Sequence, residues 1–155
     1  SLELLMRRAA GWEQDYFAVE AYRVSSYHRE GLASANQGVE LSTEATVKVW
    51  VGDERLVAVG EGNGPVNALD AALRAALGER LPALGRIHLT DFRVRVLDAQ
   101  VTDGNQATGS IVRVLLSSTD GEESWTTIGV SPNIIEASWM ALCDALVYGL
   151  LRAGG

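Results

Sequence analysis

Histidine and cysteine are scarce in this chain, and basic charge does not predominate. The 155 residues hold two histidines, His28 and His88, and one cysteine, Cys143. A single cysteine cannot close an intrachain disulfide, so a reducing compartment, the cytoplasm, is expected. The histidines stand far apart, without the clustered partners a metal site requires, and read as solvated surface residues. No nucleophile-elbow pattern accompanies the serines, so a self-contained catalyst is not expected. Thirteen Lys and Arg against twenty Asp and Glu leave a formal charge of −7. That is the wrong sign for displacing counterions from nucleic-acid phosphates or for gripping an anionic membrane surface. Uninterrupted apolar runs are short against the roughly 20 residues that span a bilayer, and no signal segment opens the chain. What is plentiful is apolar material: 47% hydrophobic against 21% charged residues. That suffices for one domain with a buried core.

The most informative internal feature is a repeat. FAVEAYRV from Phe17 is echoed by FRVRVLDA from Phe92, which sets Phe17, Val19 and Ala21 opposite Phe92, Val94 and Val96. ATVKVWV from Ala45 is echoed by SIVRVLL from Ser110, with Val47 and Val49 opposite Val112 and Val114. From Gly52 to Leu77 the offset is constant, as Gly52 against Gly121 shows. It matches Glu54 with Glu123, Gly60 with Gly129, and Ala68, Ala72, Leu73, Ala76 and Leu77 with Ala137, Ala141, Leu142, Ala145 and Leu146. The chain is therefore expected to be α+β, an internal duplication of two βββα units. Each would be an antiparallel sheet with one helix, over residues 17–78 and 92–152. Period-2 alternation supplies the strands, and Gly52-Asp53-Glu54 and Ser118-Thr119-Asp120-Gly121 supply hairpin turns.

The first repeat's helix carries Val66, Leu69, Leu73, Ala76 and Leu77 at helical spacing and stops before Gly78. The second is longer, with Ile135, Trp139, Leu142, Leu146 and Leu150 on one stripe and Met140, Cys143, Val147 and Leu151 off it. A helix on one face of a sheet needs only about 100° of apolar surface. The excess has two explanations, deep burial within one chain or a second subunit on the free side, and a homodimer is the sharper one. Residues 1–16 read as a short connector helix broken at Gly11, arriving from an upstream element. The lack of an initiator methionine fits an excised piece of a longer protein.

Gly60, Gly62 and Gly64 lead into the first helix, but Pro65 stands where a dinucleotide loop needs its third glycine, and the setting is hairpin-like rather than βαβ. Glycines let backbone approach a ligand, and Pro65 suits the first helical position. The free N–H groups of a helix start could take a carboxylate; a plain cap with turn glycines explains them equally. At the second joint Asn133 can cap the helix, with Glu136 completing a capping box. Two such joints could define a cleft with aliphatic walls and backbone amides at its polar end, suited to a small branched zwitterion. An RNA-binding αβββα module would need lysines where Ser131, Pro132, Asn133 and Glu136 stand.

In EGNGPVNALDAALRAAL from Glu61, LTDFRVRVLD from Leu89 and SSTDGEESWTTIGVSPNIIEASWMALCDAL from Ser117, the chain resembles a known domain. It is the C-terminal regulatory domain of the 2-isopropylmalate synthase and citramalate synthase family. LELLMRRAAG and TEATVKVWV resemble the citramalate synthase branch more. The resemblance implies an allosteric homodimerisation domain, without cofactor or catalytic residues of its own. It would bind an end-product amino acid, isoleucine in citramalate synthases and leucine in 2-isopropylmalate synthases. An upstream TIM-barrel domain would condense acetyl-CoA with a 2-oxo acid. Carried over residue by residue, the effector pocket would comprise Gly62, Asn63, Gly64, Val66, Asn67, Leu89, Phe92, Val96, Ala107, Val130, Ser131 and Pro132. The chain has Ala107-Thr108-Gly109-Ser110 where the family often has Gly-Thr-x-Ala, which alters the pocket rim. A purely structural dimerisation module without effector binding is the alternative.

Overall fold

The computed structural model describes residues 2–29, 40–97 and 110–154, with backbone alone at 27–29, 40 and 41. The chain divides into two compact units, Asp15–Pro82 and the pair of segments Ser1–Gln14 and Ala83–Gly155.

In Asp15–Pro82, alternation along the middle strand buries Ala45, Val47 and Val49 and leaves Glu44, Thr46 and Lys48 on the other face. Strands β1 (Ala18–Arg29), β2 (Glu40–Val51) and β3 (Glu54–Gly62) form an antiparallel sheet in chain order. Gly52 turns the β2–β3 hairpin at φ 58°, a left-handed conformation that favours glycine. Helix α2 (Pro65–Leu77) lies over β3 and β2 and buries Val66, Leu69, Leu73 and Leu77. Gly60 makes that contact possible: a Cβ there would overlap the backbone nitrogen of Ala72.

The other unit repeats the plan with β4 (His88–Leu97), β5 (Ile111–Thr119), β6 (Ser124–Ser131) and the helix α3 (Ile134–Arg152). Gly129 takes the place of Gly60, and a Cβ on it would run into the carbonyl of Ala137. The short helix α1 (Leu2–Ala9) inserts Leu4 into the core and pairs Arg8 with Asp144 of α3, at 2.7 and 3.2 Å. Pro82–Arg86 forms a 3₁₀ turn, after which Ile87 packs against Gly149. By length and composition α3 could cross a membrane. Here it is a core helix on β6 and β5, with Trp139, Leu142, Leu146, Val147 and Leu150 all buried. Of the residues off that stripe, Val147 is buried, Cys143 and Leu151 are half-buried and Met140 is exposed, so the apolar excess that suggested a second subunit is only partly covered within the chain.

The duplicated α+β architecture stands, but strand pairing shifts the alignment of the repeats. Gly60 faces Ala45 and Gly129 faces Val114, so the Gly52/Gly121 offset extends back through β2 and β5. Val47 corresponds to Leu116, not to Val112. In the first strands, matching β-bulges between Val19 and Ala21 and between Leu89 and Asp91 align Tyr22, not Phe17, with Phe92. Phe17 corresponds to Ile87; each is buried just before its strand. An alternating strand matches itself at every second residue, and a bulge adds one more, so pattern alone permits such slips.

Each hairpin is tied to its own helix end by arginine: Arg80 to Glu54, and Arg152 to Asp120 and Glu123. The Asp120 carboxylate accepts the backbone N–H groups of Glu123 and Glu122 at 2.9 and 3.0 Å, and Arg152 Nε at 2.9 Å. The Glu123 N–H, then Arg152, hold its pKa at about 2, below the ordinary 3.8. A depressed folded-state pKa gives stability that is present above 3.8 and is lost as pH falls through about 2. Thermal melts of the wild type should therefore fall more steeply across that window than those of Asp120→Asn; parallel curves would contradict the linkage.

Candidate functional site

The β3–α2 joint gathers five of the residues assigned to the effector pocket. Gly62 is required by packing, since a Cβ would sit 2.7 Å from the backbone nitrogen of Ala68. Gly64 is not: its φ of −178° is ordinary extended backbone, and a Cβ there would meet nothing within 4 Å. Asn63 and Asn67 are exposed and joined by a 2.5 Å hydrogen bond from Asn67 Nδ2 to Asn63 Oδ1. Val66 is buried in the unit's core, so its side chain supports the joint from behind. Pro65 begins the helix, and no side chain caps it. The first-turn N–H groups of Val66 and Asn67 carry the positive end of the helix dipole.

The β6–α3 joint is built differently. Asn133 caps α3, its side chain accepting the N–H groups of Ile135 and Glu136 at 2.8 and 3.4 Å. Ser131, rather than Glu136, returns the second half of the cap by accepting the Asn133 N–H at 3.1 Å. Ser131 is buried and Pro132 is exposed. Strand alternation separates the remaining residues. Val96 and Ser131 share the α3 side of the sheet, in one row through Val112, and Phe92 lies on the same side. Val130, placed with Ser131 and Pro132 at the second joint, points to the opposite face of the sheet. Leu89 is half-buried near the start of β4. Ala107 lies outside the described residues.

Because α3 covers β6 and β5, the α3-side residues of β4 stay exposed: Phe92 at 43%, Val94 at 40% and Val96 at 60%. The sequence pattern identified these residues as strand but gave no sign that the helix stops short of them.

No three His, Cys, Asp or Glu side chains among the described residues come together to hold a metal ion. His88 is exposed at the start of β4, and the His28 side chain is outside the described residues. Burial, and then Asp144, push the Cys143 thiol far up, which leaves it protonated.

The family model of the LeuA allosteric (dimerisation) domain matches residues 1–150. The (R)-citramalate synthase of Streptomyces coelicolor is 48% identical over 99% of the chain, which covers 27% of that protein. The (R)-citramalate synthase of Synechocystis sp. is 45% identical over 97% of the chain, covering 26% of its length. The 2-isopropylmalate synthase of Thermus thermophilus is 38% identical over 76% of the chain, covering 31% of its length. The chain thus spans about a quarter of the length of the citramalate synthases it matches. The chain belongs to the LeuA allosteric (dimerisation) domain family.

Proposed function

We propose that this chain is the regulatory domain of an (R)-citramalate synthase, a homodimerising module that binds a branched-chain amino acid, isoleucine in preference to leucine. The parent enzyme would condense acetyl-CoA with a 2-oxo acid in an upstream TIM-barrel domain, in the cytoplasm. The observation that carries the effector reading is the β3–α2 joint. Gly64 leaves open space at an uncapped helix start, although the backbone conformation there does not require glycine. A zwitterion's carboxylate fits those N–H groups, and Asn63 and Asn67 lie beside them. Similarity to citramalate synthases over nearly the whole chain favours isoleucine.

The uncovered row Phe92, Val94 and Val96 suits burial by a second copy. An effector shifts such an assembly only by binding its arrangements unequally, and a coupling of about 1–3 kcal/mol suffices for feedback control.

Hydrogen exchange tests the effector's position: isoleucine should slow the amides of Val66 and Asn67 more than leucine does. Protection elsewhere, with none at the start of α2, would contradict the assignment. Sedimentation tests the assembly. The wild type should run at twice its 16.6 kDa, and Val94→Asp, altering an exposed side chain, should run as a monomer.

A further inference from the structure

On the sheet face turned away from α2, cross-strand register pairs Ala21 with Lys48 and Arg23 with Thr46. The four make a square block with long cations at two diagonal corners and small side chains at the other two. Diagonal neighbours on a sheet lie roughly 7–8 Å apart, so the block encloses a hollow. A cavity of about 170 Å³ sits there, lined by Ala21, Tyr22, Arg23, Thr46 and Lys48. Among the described residues neither Arg23 nor Lys48 forms an ion pair. The neighbouring Glu20 carboxylate, which feels the Lys48 charge, is already held by Arg55 and Trp50.

The sister repeat shows what the same position looks like when it is satisfied. The matching bulges and strand registers align Ala21, Arg23, Thr46 and Lys48 with Asp91, Arg93, Leu115 and Ser117. There the chain supplies its own carboxylate, Asp91, 3.4 Å from Arg93 Nε. Leu115 replaces the small threonine, and an uncharged serine replaces the lysine. The first repeat keeps the arginine, adds a second cation and leaves the space open.

We propose that this hollow binds a small carboxylate, its oxygens taken by the Arg23 guanidinium and the Lys48 ammonium. Two cations would repel the ammonium of a zwitterion, so the ligand class differs from the amino-acid effector. The site does not depend on the effector reading.

The test is titration of the ¹⁵N-labelled chain with malonate at constant ionic strength, following the amides of Ala21, Arg23, Thr46 and Lys48. Saturable shifts are expected, with none on addition of isoleucine at those amides. Arg23→Gln should weaken binding about tenfold, the worth of one charge-assisted hydrogen bond; Arg93→Gln should leave it unchanged. Thr46→Leu and Ala21→Asp each copy the sister repeat, which folds with those residues, and each should abolish it. Shifts that rise without saturation, or that chloride reproduces, would overturn the proposal, as would binding that survives Thr46→Leu and Ala21→Asp. Saturation by inorganic phosphate but not by malonate would overturn the carboxylate assignment.

Discussion

Replacing Gly129 by alanine should destabilise the chain by about 3 kcal/mol, the scale of overpacking a close backbone contact. At this chain length that lowers the melting temperature by roughly 10 °C. The added methyl would meet the carbonyl of Ala137, on the first turn of α3. The helix cannot easily retreat, because β6 grips it on the same face. Thr127 Oγ1 donates to the carbonyl of Ala141 at 2.7 Å, and Trp125 Nε1 donates to that of Ala145 at 3.1 Å, both buried. Gly60→Ala should behave alike in the other unit, where Ala72 and Ala68 stand in the way. Gly85→Ala is the control. A Cβ there meets nothing, its φ is not left-handed, and its effect should stay within about 1 kcal/mol. Equal melting temperatures for all three variants would show that the glycines are not packing residues.

Gly64→Val should have the opposite profile. The valine side chain finds open space, and the extended backbone accepts it, so the loss of stability should be at most about 1 kcal/mol, the difference between a good and a poor N-cap. Amino-acid binding should fall at least about a hundredfold, which is about 2.7 kcal/mol, because the side chain would stand over the N–H groups proposed to receive the carboxylate. Isothermal titration beside a thermal melt separates the two effects. Retained affinity in a folded Gly64→Val chain would remove the β3–α2 joint from the effector site.

These two glycines also show which parts of the molecule were legible in the sequence. Gly60 and Gly129, with the alanines and leucines that follow, are landmarks that do not recur every two residues, so they set the repeat offset correctly. Phe17 and Phe92 were misleading landmarks: each heads a similar valine-containing run, yet Phe17 lies just before β1 and Phe92 in the middle of β4, as the matching bulges at Glu20 and Thr90 show. The cap of α3 was readable from Asn133, but the part played by Ser131 needed the geometry of the chain just before the helix. Val130 was assigned to the pocket with its neighbours, although the strand turns it to the other face. The hollow at Arg23 and Lys48 had no sequence signal, because it depends on which residues of β1 and β2 stand opposite one another.

The central claim is that this family member binds a branched-chain amino acid through its own residues. Calorimetric titration of the chain with isoleucine, leucine and valine in parallel tests it most directly. Saturable heat is expected, with isoleucine binding most tightly; a methylene-scale difference sets the preference over leucine at about 1–3 kcal/mol. Tighter leucine binding would contradict the assignment to a citramalate synthase. No heat with any of the three, from a folded dimer, would contradict the central claim and leave a dimerisation module without an effector.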